Sequence, residues 1–374
     1  MNIIFIRSNP ITPDSRVEKE VNSLLKMKDL NIQLLGWDRT DDYNLKRESK
    51  KIGLNSVPLN LLGIKASFGG GFKKNLIPLL KFQIKGFKFL IKNRNEIDIV
   101  HACDFDTALF SFIFAKLFRK KIVYDIFDFY VDSFSVPKYL KKMIKKIDFF
   151  IIKNSNACII CSEERKRQIS GSKPKKLVVI HNSPPNIEID NELRANKKLK
   201  ICYIGILANG RLIKELLEIV SNNQNFELDI AGFGELDKDI ETFSECYENI
   251  NYYGKTEYHK TLEIEKNSDV ITAIYDPSVD NHFYAAPNKF YEGLMLGKIL
   301  IMVNNTGMSN YVSEYQIGEV IDYNMDSLET ALIKVSNYSE EDKIRVSNFG
   351  KKIYKKNFSW DEMEKRLLRL YSEV

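Results

Sequence analysis

Asn288, Lys289 and Glu292 stand in the run APNKFYEGLMLGKILIMVNNTG, from Ala286 to Gly307. The spacing predicts a helix with Pro287 in its first turn and Gly297 just past its end. Glu292 then follows Asn288 by four residues and Lys289 by three, so the three side chains project to one side. A helix amino terminus offers unsatisfied N–H groups and a positive dipole end to a phosphate. A carboxylate one turn further on can accept both hydroxyls of a ribose. An ordinary capped amphipathic helix with an exposed glutamate has the same spacing, and both readings stay open at this level.

A second candidate is YIGILANGRLIKELLEIV, from Tyr203. A strand ending at Gly205 and a loop with Asn209 and Gly210 would bring Arg211 and Lys214 to the start of the next helix. Two fixed cations there suit a diphosphate leaving group, whose developing charge must be stabilised. A charged first turn on a surface helix is the alternative. FELDIAGFGEL carries Gly232 and Gly234, a G-x-G without the third glycine, which reads as a tight turn or as a bed for a nucleotide.

In the first half of the chain, Asp14, Ser15 and Arg16 open a helix in RSNPITPDSRVEKEV, where a cap with an exposed arginine and a contact at a site edge are both possible. His101 and Asp104 end the strand DIVHAC and start the helix after it. His101 reads as a ligand contact or as a hydrogen-bonded core histidine. KIVYDIFDFYVDSF brings Asp125 and Asp128 to the end of the following strand.

The elements that must position these residues alternate strand and helix throughout, the signature of βαβ units and a parallel sheet. Strands are expected at IIFIR, IQLLGW, DIVHAC, KIVYDI, ACIICS and LVVIHN, then at LKICYIG, FELDIAG, NINYYG, DVITAIY, KILIMVN and EVIDY. The polar SPPNIEIDNELRANKKLK after Asn182 reads as a linker. The fold class is therefore α/β: two tandem Rossmann-like, doubly wound parallel-sheet domains, 1–190 and 191–357, facing across a cleft, with the helix 358–374 returning to the first.

Composition agrees with an ordinary globular protein: 374 residues, 44% apolar and 28% charged, with 10 Pro and 18 Gly. MNIIFIRSNP is too short for a signal segment, and no apolar run approaches the roughly 18 residues of a membrane span. A cytoplasmic protein is expected. Cys158 and Cys161 form a lone C-x-x-C inside an apolar strand, and no His–Cys–carboxylate cluster has ligand spacing, so no metal is expected. The net charge of +6 supports no nucleic-acid partner but is concentrated in two helical patterns, 72–94 and 137–150. Lys81, Lys85, Lys88 and Lys92 share one helical face. Lys138, Lys141, Lys142, Lys145 and Lys146 oppose Leu140, Met143, Ile144 and Ile147. They read as solvated faces or as a surface that rests on an anionic leaflet.

PNKFYEGLMLGK followed by a strand resembles the donor-site motif of GT-B-fold glycosyltransferase family 4 (glycosyl transferases group 1), in the branch that builds bacterial surface polysaccharides. The IAG-x-G run, the PD-x-R-V run at Asp14, the D-I-V-H strand and the terminal FSWDEMEKRLLRLY are similar to segments of that family, so the resemblance spans nearly the whole chain. It implies that Glu292 binds the nucleotide ribose, with Gly205, Arg211, Gly232, Gly234, Pro287, Asn288 and Lys289 around the nucleotide. Arg211 and Lys214 would stand against the diphosphate, and Asp14, Arg16, His101 and Asp104 near the acceptor. The family's first glutamate is Tyr284 here. Its usual histidine is Phe127, followed by Asp128, so beside the transferred sugar Tyr284 stands in the glutamate's place and Asp125 or Asp128 is the substitute for the histidine, with Asp128 the candidate taken.

The activity implied is retaining transfer of a hexosyl or N-acetylhexosaminyl group from a nucleoside diphosphate sugar, UDP foremost. The acceptor would be a saccharide or a polyprenyl-diphosphate-linked saccharide in capsule, exopolysaccharide or O-antigen synthesis, with the protein peripheral at the inner face of the membrane. No cofactor or metal is implied, because Arg211, Lys214 and helix dipoles take that place. The alternative is a non-catalytic GT-B subunit that binds a partner glycosyltransferase or a glycan. A GT-B sugar epimerase lacks its acid cluster here, and a dehydrogenase lacks the full dinucleotide fingerprint.

Overall fold

The computed structural model describes residues 1–67, 71–133, 136–186 and 198–374, with 71–73 described by backbone alone. The chain divides into two compact units, Met1–Asn182 with Met363–Val374, and Ser183–Glu362. The boundary read between 190 and 191, and residues 187–197 of the linker, lie outside the described residues.

The first unit is built on strands β1 (Asn2–Ile6), β2 (Asn31–Asp38), β3 (Tyr43–Ile52), β4 (Asn55–Gly63), β5 (Ile99–Cys103), β6 (Lys121–Ile126), β7 (Ala157–Ile160) and β8 (Leu177–Val179). Their order is β3-β4-β2-β1-β5-β6-β7-β8. The central strands β1 and β5 are near-continuous apolar runs covered by helices on both faces, as a parallel sheet requires. The sequence reading missed β3 and β4, and β3 makes the edge antiparallel. The reason is visible in YNLKRESKKI: an edge strand with most positions exposed needs no apolar alternation, and its lysines discourage pairing with another chain.

The two basic helices form at Gly71–Lys92 and Lys138–Asn154. Phe82 stacks on Trp37 at 4.9 Å and anchors the first. Lys85 leaves the expected lysine face, because its ammonium donates to the carbonyls of Tyr43 (2.7 Å) and Gly63 (3.1 Å). On the second helix Met143 is exposed rather than packed, alongside Tyr139 and Phe150.

The Trp360–Glu373 helix carries the chain back into the first unit. Met363, Leu367 and Leu370 are buried, Glu364 pairs with Lys26 at 2.7 Å, and the Tyr371 hydroxyl meets His101 Nδ1 at 2.6 Å.

The second unit holds β9 (Leu199–Leu207), β10 (Phe226–Gly234), β11 (Ile250–Tyr252), β12 (Val270–Ala273), β13 (Ile299–Val303) and β14 (Gly318–Ile321), all parallel, in the order β11-β10-β9-β12-β13-β14. The connections reverse direction between β9 and β12, which opens a crevice at the carboxyl ends of those strands. The expected doubly wound α/β architecture is thus present in both units. No described helix is long and apolar enough to cross a membrane.

Candidate functional site

A cavity of about 410 Å³ lies at the reversal in the second unit. Gly205 and Ile206 reach it from the end of β9, Arg211 from the loop after β9, and Tyr275 from just beyond β12. Thr256 comes from just before the Tyr258–Lys266 helix, Tyr258 and Thr261 from its first turn, and Asn288, Lys289 and Glu292 from the Asn288–Leu296 helix. Asn288, Lys289 and Glu292 therefore share one face, as their spacing predicts. Pro287 caps that helix with φ −69° and ψ 140°, and Gly297 ends it in the left-handed region at φ 66°. Pro287 has no side chain to satisfy the first amides, and the positive end of the helix points at the cavity wall.

Glu292 is 6% exposed, so the reading of an ordinary exposed glutamate does not hold. With burial, its carboxyl drives the neighbouring Tyr258 hydroxyl and Glu265 carboxyl above their ordinary ranges. Burial would lower the Lys289 ammonium, but Tyr275, Tyr203 and the carboxyls of Glu265 and Glu292 hold it above its ordinary range. Lys289 Nζ lies 4.7 Å from the Tyr203 ring centroid, and a Cβ at Gly205 would stand 2.9 Å from it. The Arg211 guanidinium stacks 3.8 Å from the Tyr275 ring centroid, and its Nη1 is buried without a hydrogen-bond partner. Thr256 Oγ1 is likewise buried without one. Two cations, a bare donor and a helix amino terminus around one cavity are an arrangement that can receive a phosphate-bearing ligand.

Four expected members of this site lie elsewhere. Lys214 is exposed and pairs with Asp239 at 2.8 Å, because Leu212 adopts a left-handed conformation and starts the Ile213–Ser221 helix with Lys214 turned toward the neighbouring helix. Gly232 and Gly234 form neither a turn nor a cavity wall. They continue β10 alongside Gly205 and Leu207 of β9, where a Cβ at Gly232 would fall 1.8 Å from the Gly205 carbonyl oxygen. Tyr284 stands outside the cavity lining, stacked edge-on with Phe283 at 5.0 Å.

The first unit gathers its polar residues at the carboxyl ends of β1, β5 and β6. Arg7, which the sequence reading overlooked, donates to Asp14 at 3.0 Å and to Asp104, and lies 4.1 Å from the Phe127 ring centroid. Asp14 also accepts from the Val17 amide and so caps the Ser15–Leu24 helix. Asp104 accepts from the amides of Phe127 (2.9 Å) and Asp128 (3.1 Å), and burial lifts its carboxyl to about 6 against the pull of Arg7. Asp128 is half-exposed and pairs with Arg165 at 2.8 Å.

Arg16 is not exposed as a simple helix-start arginine would be. It is buried, with Nε and Nη2 on Asp125 (3.2 and 2.9 Å) and Nη1 on the Ile180 carbonyl (2.8 Å). His101 is fully buried, stacked on Phe5 at 4.0 Å. Glu20, His101 and Asp125 bring three potential metal-ligand atoms within 4.8 Å of one another. Their spacing in sequence hid this cluster, and Arg16 already supplies its positive charge. Burial pushes both carboxyls up, but Arg16 and His101 hold Asp125 down at about 2, while Glu20 is driven well above its ordinary range.

The sequence matches no protein-family model and no curated protein. Solved structures do match. Sucrose-phosphate synthase from Thermosynechococcus elongatus is similar over 100% of this chain and 98% of its own, at TM-score 0.76 and 12% identity. HepE from Anabaena, in complex with UDP-glucose, matches over 100% of both chains at TM-score 0.70 and 11% identity. A protein of Listeria monocytogenes ascribed to the UDP-N-acetylglucosamine 2-epimerases matches over 100% of this chain and 97% of its own, at TM-score 0.62 and 10% identity. At such identities the likeness establishes the fold, two Rossmann-like units of the GT-B class. That fold is common to a synthase and to a protein ascribed to the epimerases, so the activity must be argued from the site.

Proposed function

We propose that this chain is a retaining glycosyltransferase of the family-4 type that takes a hexosyl or N-acetylhexosaminyl group from a nucleoside diphosphate sugar, with UDP as the nucleotide. The observation that carries the reading is the cavity in the second unit. Arg211 and Lys289 supply two cations, the Asn288–Leu296 helix directs its amino terminus there, and Glu292 lies buried four residues on. A diphosphate can rest on the cations and helix amides while ribose hydroxyls donate to Glu292. Charge that develops on the leaving diphosphate is then met by fixed donors, with no metal required. Lys289 takes the role that sequence spacing suggested for Lys214. HepE, whose fold this chain shares, was solved with UDP-glucose.

The acceptor we propose is a saccharide or polyprenyl-diphosphate-linked saccharide of a capsule, exopolysaccharide or O-antigen pathway, met at the inner face of the membrane. Support comes from the two basic helices, which expose Ile77, Leu80 and Ile84 beside Lys81 and Lys88, and Tyr139, Met143 and Phe150 beside Lys142 and Lys146. Apolar side chains among lysines suit an anionic leaflet. Co-sedimentation with anionic but not zwitterionic phospholipid vesicles, lost when Lys81, Lys88, Lys142 and Lys146 become Glu, is the expected result. Equal binding to both vesicle types would remove the membrane contact.

A second reading, a non-catalytic GT-B subunit, is favoured by Phe127, whose ring is engaged by Arg7 and Arg16 at 4.1 and 4.8 Å. Calorimetric titration with UDP-, GDP- and dTDP-sugars, without added metal, separates the two. Binding of one donor that weakens about tenfold to a hundredfold in Glu292→Ala supports the transferase. Binding of none by the wild-type protein favours the subunit.

A further inference from the structure

Beside Glu292, and not part of the cavity lining, stands a second carboxyl. Glu265 lies on the Tyr258–Lys266 helix, which packs on the helix of Glu292, is 1% exposed, and has a carboxyl driven up by burial and by Glu292. Two neighbouring carboxylates that are both ionised and buried repel each other, so one of the pair holds a proton. Two features assign that proton to Glu265. Its Oε2 is buried without a partner, so ionisation would leave a bare anionic oxygen in the interior. Glu292, by contrast, lines the cavity together with Tyr258.

We propose that Glu265 is a positioning residue: a carboxylic acid that donates its proton to Glu292 and fixes the carboxylate that receives the ribose hydroxyls. The inference rests on the donor-site reading above. Held by this donor, the Glu292 carboxylate cannot rotate freely, so its remaining acceptor capacity is aimed before a ligand arrives. Pre-organisation of this kind spares the ordering cost at binding.

The groups around Glu265 support a neutral acid. Burial and Glu292 both drive its carboxyl well above the ordinary range, and Lys289, on the same helix as Glu292, opposes them without prevailing. From β9 the Cys202 thiol is itself pushed up, first by burial and then by Glu265. The Ser268 hydroxyl donates to the backbone carbonyl of Glu265 at 2.8 Å. Tyr258, on the same helix as Glu265, and Tyr354 both interact with Glu292.

The test uses the full chain, with Glu265→Gln, which is neutral and keeps a donor, and Glu265→Leu, which removes it. Infrared difference spectra between wild type and Glu265→Gln are expected to show the carbonyl stretch of one un-ionised carboxylic acid missing from the variant. This readout needs no ligand, and an unchanged band overturns the assignment of the proton. Titration with UDP then reads the positioning role. Glu265→Gln should bind within about twofold of wild type and Glu265→Leu about tenfold more weakly. Wild-type affinity should fall at the pH where the acid band vanishes, and that of Glu265→Gln should not. Leu at wild-type affinity, or Gln as weak as Leu, overturns the role; if Leu does not fold, the pH profiles of wild type and Gln decide. Failure of wild type to bind UDP while the acid band behaves as expected would count against the donor-site reading and leave the proton on Glu265.

Discussion

The Arg211 guanidinium lies over the Tyr275 ring, 3.8 Å from its centroid, with Nη1 buried and bare. Stacking on the ring fixes the plane of the fork and so the direction in which its free nitrogen points. Among the described residues Arg211 has no ion pair, so the ring holds a cation that no protein anion neutralises.

Arg211→Lys therefore keeps the charge but loses both the stacked plane and the fork. UDP affinity should fall about tenfold, the cost of one charge-assisted contact, with little change in melting temperature. A lysine variant that binds UDP as tightly as wild type would remove the guanidinium from the site.

The helix that bears Asn288, Lys289 and Glu292 was legible in the sequence because three side chains on one face follow from spacing alone. The strands of both units were legible too, except β3 and β4, where edge exposure removes the apolar signal. Tertiary partners were not. Lys214 has the right spacing from Arg211, yet the left-handed Leu212 turns it to Asp239. Glu265, in TLEIEK, looks like one more surface charge until the helix it sits on is packed against Glu292. Tyr275 was within reach of sequence reasoning, since it ends a strand beside the topological reversal.

Gly232 tests the finding that the G-x-G run is a strand-pairing feature. At φ +150°, with a Cβ only 1.8 Å from the Gly205 carbonyl oxygen, Gly232→Ala must push β9 and β10 apart. A loss on the order of 3–5 kcal/mol in denaturant unfolding is expected. Gly254, at φ +61° with nothing within 4 Å of a Cβ, should cost about 1–2 kcal/mol as alanine. Equal losses at the two positions would show that only backbone conformation matters at Gly232.

Asp148 gives a pH dependence with a defined sign. It sits on the inner face of the Lys138–Asn154 helix, accepts from the Tyr124 hydroxyl at 2.9 Å, and has its second oxygen buried without a hydrogen-bond partner. Burial lifts its carboxyl to about 7; the Tyr124 hydrogen bond pulls it down and Asp104 pushes it further up. In the unfolded chain the same group titrates near about 3.9. Between those values the folded state holds a proton that the unfolded state has lost, so stability falls as pH rises through this window and the full cost applies above about 7. Asp148→Asn removes the titration, keeps the acceptor for Tyr124 and remains neutral. Its stability advantage over wild type should grow from pH ~4 to ~7 and then level, at most on the order of 3–4 kcal/mol. Other groups titrate alike in both proteins, so the difference isolates Asp148. A stability gap that does not change across that range would mean that Asp148 is ionised in the folded protein throughout, and that the Lys138–Asn154 helix tolerates a buried charge.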